Sequence, residues 1–254
     1  MDKPLTGQVA FITGASGGLG LHFARVLAEA GAAVALTARR TSQIEDEAEA
    51  LRAKGYRAEA LTLDVADPDA IAPAMDAIEG SLGPISILIN NAGVGGEGLA
   101  LDVSVEVWDQ TYAVNVRGVF LCAREAARRM IASGVAARGD ARIVNIASIG
   151  GHSVLPGLTA YCSSKGAVEM MTRSLAREWA RPGIAVNAMC PGFIETDINA
   201  HWFKTEGGER QLKGFPRRRL MESTDLDAAL LMLSGPAARA ITGSVITLDD
   251  GQTL

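Results

Sequence analysis

The chain has 254 residues, which at roughly 100–200 residues per domain allows one large domain or two small ones. Hydrophobic residues make up 48% and charged residues 21%, and the 28 glycines fall in clusters without a fixed period, so collagen-like and disordered chains are excluded. Lys and Arg number 24 against 29 Asp and Glu, a net charge of −5, and without a sustained basic run the chain offers no surface for nucleic acid or an anionic membrane.

Three scattered cysteines, Cys122, Cys162 and Cys190, form no C-x-x-C pair, which argues against a disulfide framework and against a metal centre. No apolar run approaches the ~18 residues needed to cross a bilayer. The first residues lack the apolar core and small-residue cleavage site of a secretion signal. A reduced, soluble, cytoplasmic protein is the expectation.

In chain order, the apolar run 8–13 (QVAFIT) predicts a strand that ends at a glycine cluster. Leu19, Phe23, Val26, Leu27 and Ala30 then recur at a helical period, and Gly31 stops that helix. A strand at 33–38, a helix at 42–53, a strand at 57–63, a helix at 68–79 and a strand at 85–90 repeat the pattern. The second half predicts one long helix over 105–132, a strand at 141–147, a helix over 159–180 and a strand at 184–189. An irregular stretch leads to a helix near 225–233 and a last strand at 244–248. Continuous apolar strands alternating with helices mean a parallel sheet covered on both faces. The predicted architecture is a single-domain, Rossmann-type α/β fold over 1–254, a doubly wound parallel sheet of about seven strands. Length alone leaves a two-domain alternative open.

Thr13-Gly14-Ala15-Ser16-Gly17-Gly18-Leu19-Gly20 lies between the first strand and the first helix. Glycines there permit a tight turn and close backbone approach, and the helix start offers unpaired N–H groups to a pyrophosphate. A glycine cluster also simply makes turns, but this position is where open parallel sheets bind dinucleotides. Gly14, Ser16, Gly18, Leu19 and Gly20 are the candidate contacts. At the end of the second strand stand Ala38, Arg39 and Arg40. A carboxylate there would grip the ribose hydroxyl of NAD, whereas Arg accommodates the extra phosphate of NADP. NADP(H) is therefore favoured over NAD(H), with Arg39 as the candidate phosphate partner.

Tyr161 and Lys165 are four apart on a predicted helix and project from one face. An ammonium beside a phenol favours the phenolate, which makes Tyr161 a candidate acid/base group with a lowered pKa. Ser148 follows the preceding strand at the carboxyl edge of the sheet, where ligands of such sheets bind. A Tyr/Lys pair alone is a common coincidence; with Ser148 and the glycine loop it becomes a site.

These pieces resemble the short-chain dehydrogenase/reductase family, in its classical single-domain subgroup. The resemblance rests on Thr13 to Gly20, Asp64-Val65, Asn90-Asn91-Ala92-Gly93, Asn115, Ser148, the Y-x-x-x-K pair Tyr161 and Lys165, and Pro191-Gly192. It implies that Tyr161 exchanges a proton with a carbonyl or alcohol oxygen while a nicotinamide carries hydride. Ser148 would stabilise that oxygen, Lys165 would lower the Tyr161 pKa and hold the nicotinamide ribose, and Asn115 would anchor a relay water. Asp64 and Val65 would contact adenine, Asn91, Ala92 and Gly93 the adenine-ribose side. Pro191, Gly192, Ile194 and Thr196 would lie at the nicotinamide carboxamide. Helices 105–132 and 159–180 would pair between subunits of a homodimer or homotetramer. A segment at about 193–222 would form a substrate lid, with His201, Trp202, Phe203 and Phe215 in it.

Two departures stand out. Gly17 occupies a position where many NADP-using relatives carry a basic residue, and the last strand leads into Asp249-Asp250-Gly251 where V-D-G-G is more familiar. The run Arg217-Arg218-Arg219 is either a solvated face or a partner for an acidic carrier. Stretch 191–197 resembles bacterial 3-oxoacyl-carrier-protein reductases, so an acyl thioester stands among the candidate substrates beside sugars, steroids and cyclic ketones. His152 and Leu155 are expected to border the substrate. A non-catalytic NADP(H) sensor or scaffold on the same fold is the alternative, and an epimerase or dehydratase would need a further substrate domain.

Overall fold

Seven parallel strands form one sheet in the order β3-β2-β1-β4-β5-β6-β7: β1 (Val9–Thr13), β2 (Ala33–Ala38), β3 (Ala58–Thr62), β4 (Ile87–Asn90), β5 (Ala141–Ile146), β6 (Ile184–Pro191) and β7 (Val245–Leu248). The computed structural model describes residues 3–194 and 202–254. Every strand pair is parallel, with Phe11 opposite Ala35 on one side of β1 and Leu88 on the other. Alternate residues of the apolar strands face opposite layers. Ala10, Ile12, Val34 and Leu36 pack with α1 (Gly18–Glu29), α2 (Thr41–Ala53) and α8 (Asp227–Ser234) on one face. Val9, Phe11, Ala35 and Leu88 pack with α3 (Ile71–Leu82), α5 (Val119–Ala132) and part of α6 (Thr159–Trp179) on the other. Both faces are thus covered, which is why the strands read as unbroken apolar runs.

The expected helix over 105–132 is three pieces. α4 (Val105–Tyr112) starts where the Ser104 hydroxyl accepts the Val107 N–H at 3.3 Å. A π-helical turn covers Ala113–Gly118, and α5 follows. Such a wide turn inside a helix frequently marks a functional site. A further helix, α7 (Glu206–Gly214), lies inside the irregular stretch and was not anticipated, because it buries little apolar surface. The last helix is preceded by a short 3₁₀ turn over Ser223–Leu226. Thr196 and His201, named above as candidate cofactor and lid residues, lie outside the described residues. Strand order reverses between β1 and β4, so the crevice beyond their carboxyl ends is where a dinucleotide would bind.

Candidate active site

Three elements meet beyond β5 and β6. Ser148 is buried just after β5, where its hydroxyl accepts the Gly150 N–H at 3.1 Å. Tyr161 and Lys165 occupy one face of α6, as their spacing predicts, and Glu169 continues that face one turn on. Lys165 is buried, and its ammonium donates to the Ile146 carbonyl at 2.8 Å, standing 5.6 Å from the Tyr161 ring centroid.

The electrostatics correct the expectation for the pair. Burial pushes the Tyr161 phenol up from its ordinary value, and the Ser148 hydroxyl works against that shift by hydrogen bonding. Lys165 is itself brought down to about 8 by burial. Ser148 is the neighbour whose hydrogen bond favours the phenolate, while burial makes the Lys165 charge costly in this interior.

Asn115 sits in the π-helical turn. Its amide donates to the Val94 carbonyl at 2.9 Å and to Ser164 Oγ at 3.0 Å, and its Oδ1 accepts the Val94 N–H at 2.9 Å. The side chain thus ties the loop after β4 to α6 and has its polar atoms occupied. Gly93 lies beside both groups: a Cβ there would stand 3.5 Å from Asn115 Oδ1 and 3.6 Å from Lys165 Nζ.

The two glycine segments interlock. Asn91 donates from Nδ2 to the carbonyls of Thr13 and Gly14 at 3.0 and 3.2 Å, and Thr13 Oγ1 accepts the N–H groups of Asn91 and Ala92. Gly14 has φ +68°, and a Cβ on it would stand 2.8 Å from Ala92 Cα. Gly20 is pressed against the Gly14 carbonyl and the Asn91 amide. Asn91 therefore braces the loop from below, a role the sequence did not separate from cofactor contact. The Asp64 carboxylate accepts the Ala66 N–H at 2.9 Å, and Val65 is buried against Gly118. Pro191 pairs with Leu248 as the last residue of β6, Gly192 donates to the Leu248 carbonyl at 2.9 Å, and Ile194 is buried.

Several side chains lie where the sequence did not point. Arg40, rather than Arg39, turns toward the glycine loop and donates to Ser16 Oγ at 3.0 and 3.3 Å. The His152 ring is held with Nδ1 2.8 Å from Glu169 Oε1 and Nε2 3.4 Å from Thr247 Oγ1, and Leu155 and Tyr161 both stand against Gly150. Cys190 donates its thiol to Glu169 at 3.5 Å, and burial together with that carboxylate pushes it up to about 12. His152, Glu169 and Cys190 thereby gather metal-capable atoms within 4.8 Å, a cluster that cysteine spacing could not reveal, and these atoms satisfy one another.

The short chain dehydrogenase profile matches residues 8–207. This chain belongs to the short-chain dehydrogenase family. A gluconate 5-dehydrogenase of Gluconobacter oxydans is 35% identical over 251 residues, covering 98% of this chain and 96% of that protein. A galactitol 2-dehydrogenase (L-tagatose-forming) of Cereibacter sphaeroides is 37% identical over 253 residues, with the same coverage. The crystal structure of a gluconate 5-dehydrogenase from Burkholderia cenocepacia J2315, in complex with NADP and tartrate, superposes with a TM-score of 0.92 at 34% identity, covering 99% of this chain and 98% of that one.

The residues of this short-chain dehydrogenase fit a dinucleotide. Gly17, at the start of α1, supplies no side-chain cap, and Gly18 has open space where a Cβ would stand, so the first N–H groups of α1 face an uncrowded cradle. Ser16, Arg40 and the Asn91–Gly93 segment border it. Among the described residues, no helix is long and apolar enough to cross a membrane.

Proposed function

We propose that this short-chain dehydrogenase is an NADP(H)-dependent oxidoreductase that interconverts a ketone and a secondary alcohol on a small polyhydroxylated substrate. The observation that carries the reading is the convergence of half-buried Tyr161 with buried Ser148 and Lys165 at the sheet's carboxyl edge. The substrate class follows the gluconate and galactitol dehydrogenases it resembles.

A bound nicotinamide supplies the hydride in reduction and accepts it in oxidation. Tyr161 gives its proton to the carbonyl oxygen in one direction and takes it from the alcohol in the other. Ser148 donates a hydrogen bond to the same oxygen, so negative charge developing there meets a fixed dipole in a water-poor site. Lys165, anchored on Ile146, would hold the nicotinamide ribose, and Asn115 holds the wall between Val94 and α6. Gly14, Ser16, Gly18, Leu19 and Gly20 would receive the pyrophosphate; Asp64, Val65, Ala92 and Gly93 would line the adenosine side; Pro191, Gly192 and Ile194 would line the nicotinamide side.

For the 2′-phosphate, Ala38 offers no carboxylate to compete, and the Arg39–Arg40 pair offers the charge, with Arg40 already over Ser16. NAD(H) use is the weaker alternative. An acyl-carrier substrate is disfavoured because Arg217 and Arg219 are engaged with Asp250. Exposed Leu101, Val105 and Trp108 near and on α4 support a homodimer or homotetramer, which light scattering tests.

The deciding experiment is NADPH oxidation, followed by absorbance, against keto-sugars, keto-sugar acids and 3-oxoacyl thioesters. Turnover of a polyhydroxylated ketone that Tyr161→Phe abolishes supports the reading. Turnover that survives Tyr161→Phe would overturn Tyr161 as the acid/base group, and no turnover at all by a chain that binds NADPH favours the non-catalytic alternative.

A further inference from the structure

The chain's last turn has no part in the chemistry above, yet it holds unusual backbone. Asp250 at φ +54° and Arg218 at φ +52° are the two non-glycine residues with left-handed backbone among the described residues. Aspartate enters that region more readily than most residues, whereas an arginine stays there only when its surroundings fix it. Here they do. The Asp250 carboxylate receives Arg217 Nη1 at 2.6 Å and Arg219 Nε at 2.8 Å, and Arg219 Nη1 reaches Asp225 at 3.1 Å. Asp250 therefore ties the C-terminal turn to the stretch on either side of the strained Arg218.

Two residues on, Gln252 brackets the backbone of Phe193. Its Oε1 accepts the Phe193 N–H at 2.6 Å, and its Nε2 donates to the carbonyls of Phe193 and Arg219 at 3.2 and 3.4 Å. The Phe193 carbonyl also accepts the Met221 N–H at 3.0 Å, and Ile194 pairs with Met221. Gly192 lies so close that a Cβ on it would stand 2.8 Å from Asp249 Cα. The Phe193 ring stacks on Phe215 at 5.6 Å and meets Phe203 edge-on at 5.7 Å.

We propose that the turn Asp249–Thr253 is a clasp in which Asp250 and Gln252 are positioning residues, fixing Phe193 and Ile194 as a wall of the substrate and nicotinamide site. The proposal rests on the functional reading of Pro191 to Ile194 given above. Its physical ground is the conflict at Asp250. Glycine would adopt this backbone without strain, so the carboxylate is kept against local conformational preference, and its contacts run to the site's edge rather than to the core. Stability and substrate capture should therefore move apart when Asp250 is replaced.

The test compares the full-length protein with Asp250→Gly, Gln252→Ala and the double variant Arg217→Ala/Arg219→Ala. The measurements are the melting temperature, amide exchange at Phe193, Met221 and Val144, and kcat and KM for the best ketone from the panel. Asp250→Gly is expected to melt no lower than wild type. Its Phe193 and Met221 amides should exchange ~10-fold faster while Val144, inside β5, is unchanged. KM should rise ~5- to 20-fold with kcat within ~3-fold, and Gln252→Ala should show the same KM-weighted loss. The double arginine variant should reproduce the loss, and combining it with Asp250→Gly should add little, as expected of partners in one network. Unchanged exchange, an unchanged KM, or a KM loss matched by a fall in melting temperature would each overturn the clasp. If wild type turns over no ketone, the oxidoreductase reading fails on that result, while amide exchange still decides whether Asp250 and Gln252 fix Phe193.

Discussion

The Lys165 ammonium donates to the Ile146 carbonyl at 2.8 Å, two residues before Ser148, so α6 is anchored to the strand that delivers the Ser148 hydroxyl. The anchor is expensive to bury. Its ordinary value of 10.5 falls to about 8 in the fold, so between those two values the unfolded chain holds more protons than the folded one. Stability therefore rises with pH across that window, and below it the charged ammonium costs at most about 3 kcal/mol.

Lys165→Met is accordingly expected to lose reductase activity ~100-fold while melting above wild type at pH 7. The gain is offset by ~1 kcal/mol for the lost bond to Ile146. Its advantage should shrink as pH rises toward 10, which melts at a series of pH values would read. A difference independent of pH would refute the burial account.

Ser148→Ala removes the hydrogen bond that opposes the upward shift of Tyr161. Oxidation needs the phenolate and reduction the phenol. The oxidative pH profile of the variant should therefore move to higher pH, and kcat should fall ~10²- to 10³-fold in both directions. An alkaline limb that stays in place would remove Ser148 from control of the phenol.

Arg40→Ala should raise KM for NADPH ~10- to 100-fold and leave NADH nearly untouched, since a charged hydrogen bond is worth ~1.5–3 kcal/mol. Arg39→Ala run beside it divides the role between the two cations. Ala38→Asp with Arg39→Ala should shift the ratio of kcat/KM values toward NAD. An NADPH preference unaffected by all three variants would place the phosphate elsewhere.

Gly20→Ala and Gly18→Ala separate two reasons for glycine in one loop. At Gly20 the Cβ collides with the Gly14 carbonyl and the Asn91 amide; at Gly18 the space is open and only φ +52° resists. Gly20→Ala should lose ~1–3 kcal/mol and most NADPH affinity, by overpacking. Gly18→Ala should lose ~1–2 kcal/mol from strain alone. A Gly18→Ala variant that loses as much NADPH affinity as Gly20→Ala in fluorescence titration would contradict this separation.

The strands were legible because each is a local apolar run whose hydrogen bonds any parallel neighbour can complete. All seven strands lie within two residues of their predicted limits, and the Tyr161–Lys165 face follows from helical spacing alone. The long helix was misread because its π-helical turn is fixed from outside, by Asn115 bonding Val94. Helix α7 escaped because it carries almost no apolar stripe.

The amino-acid order by itself determined the parallel sheet, the glycine loop at its first junction and the phenol of Tyr161 with Lys165 on the same helix face, because each is written in spacings of a few residues. Only the tertiary structure decided that Arg40 rather than Arg39 meets the loop, that His152 turns toward Glu169, and that Asp250 grips Arg217 and Arg219. Those choices pair groups from separate elements. Side-chain direction, burial and the competition of backbone carbonyls for each donor exist only once the layers have packed.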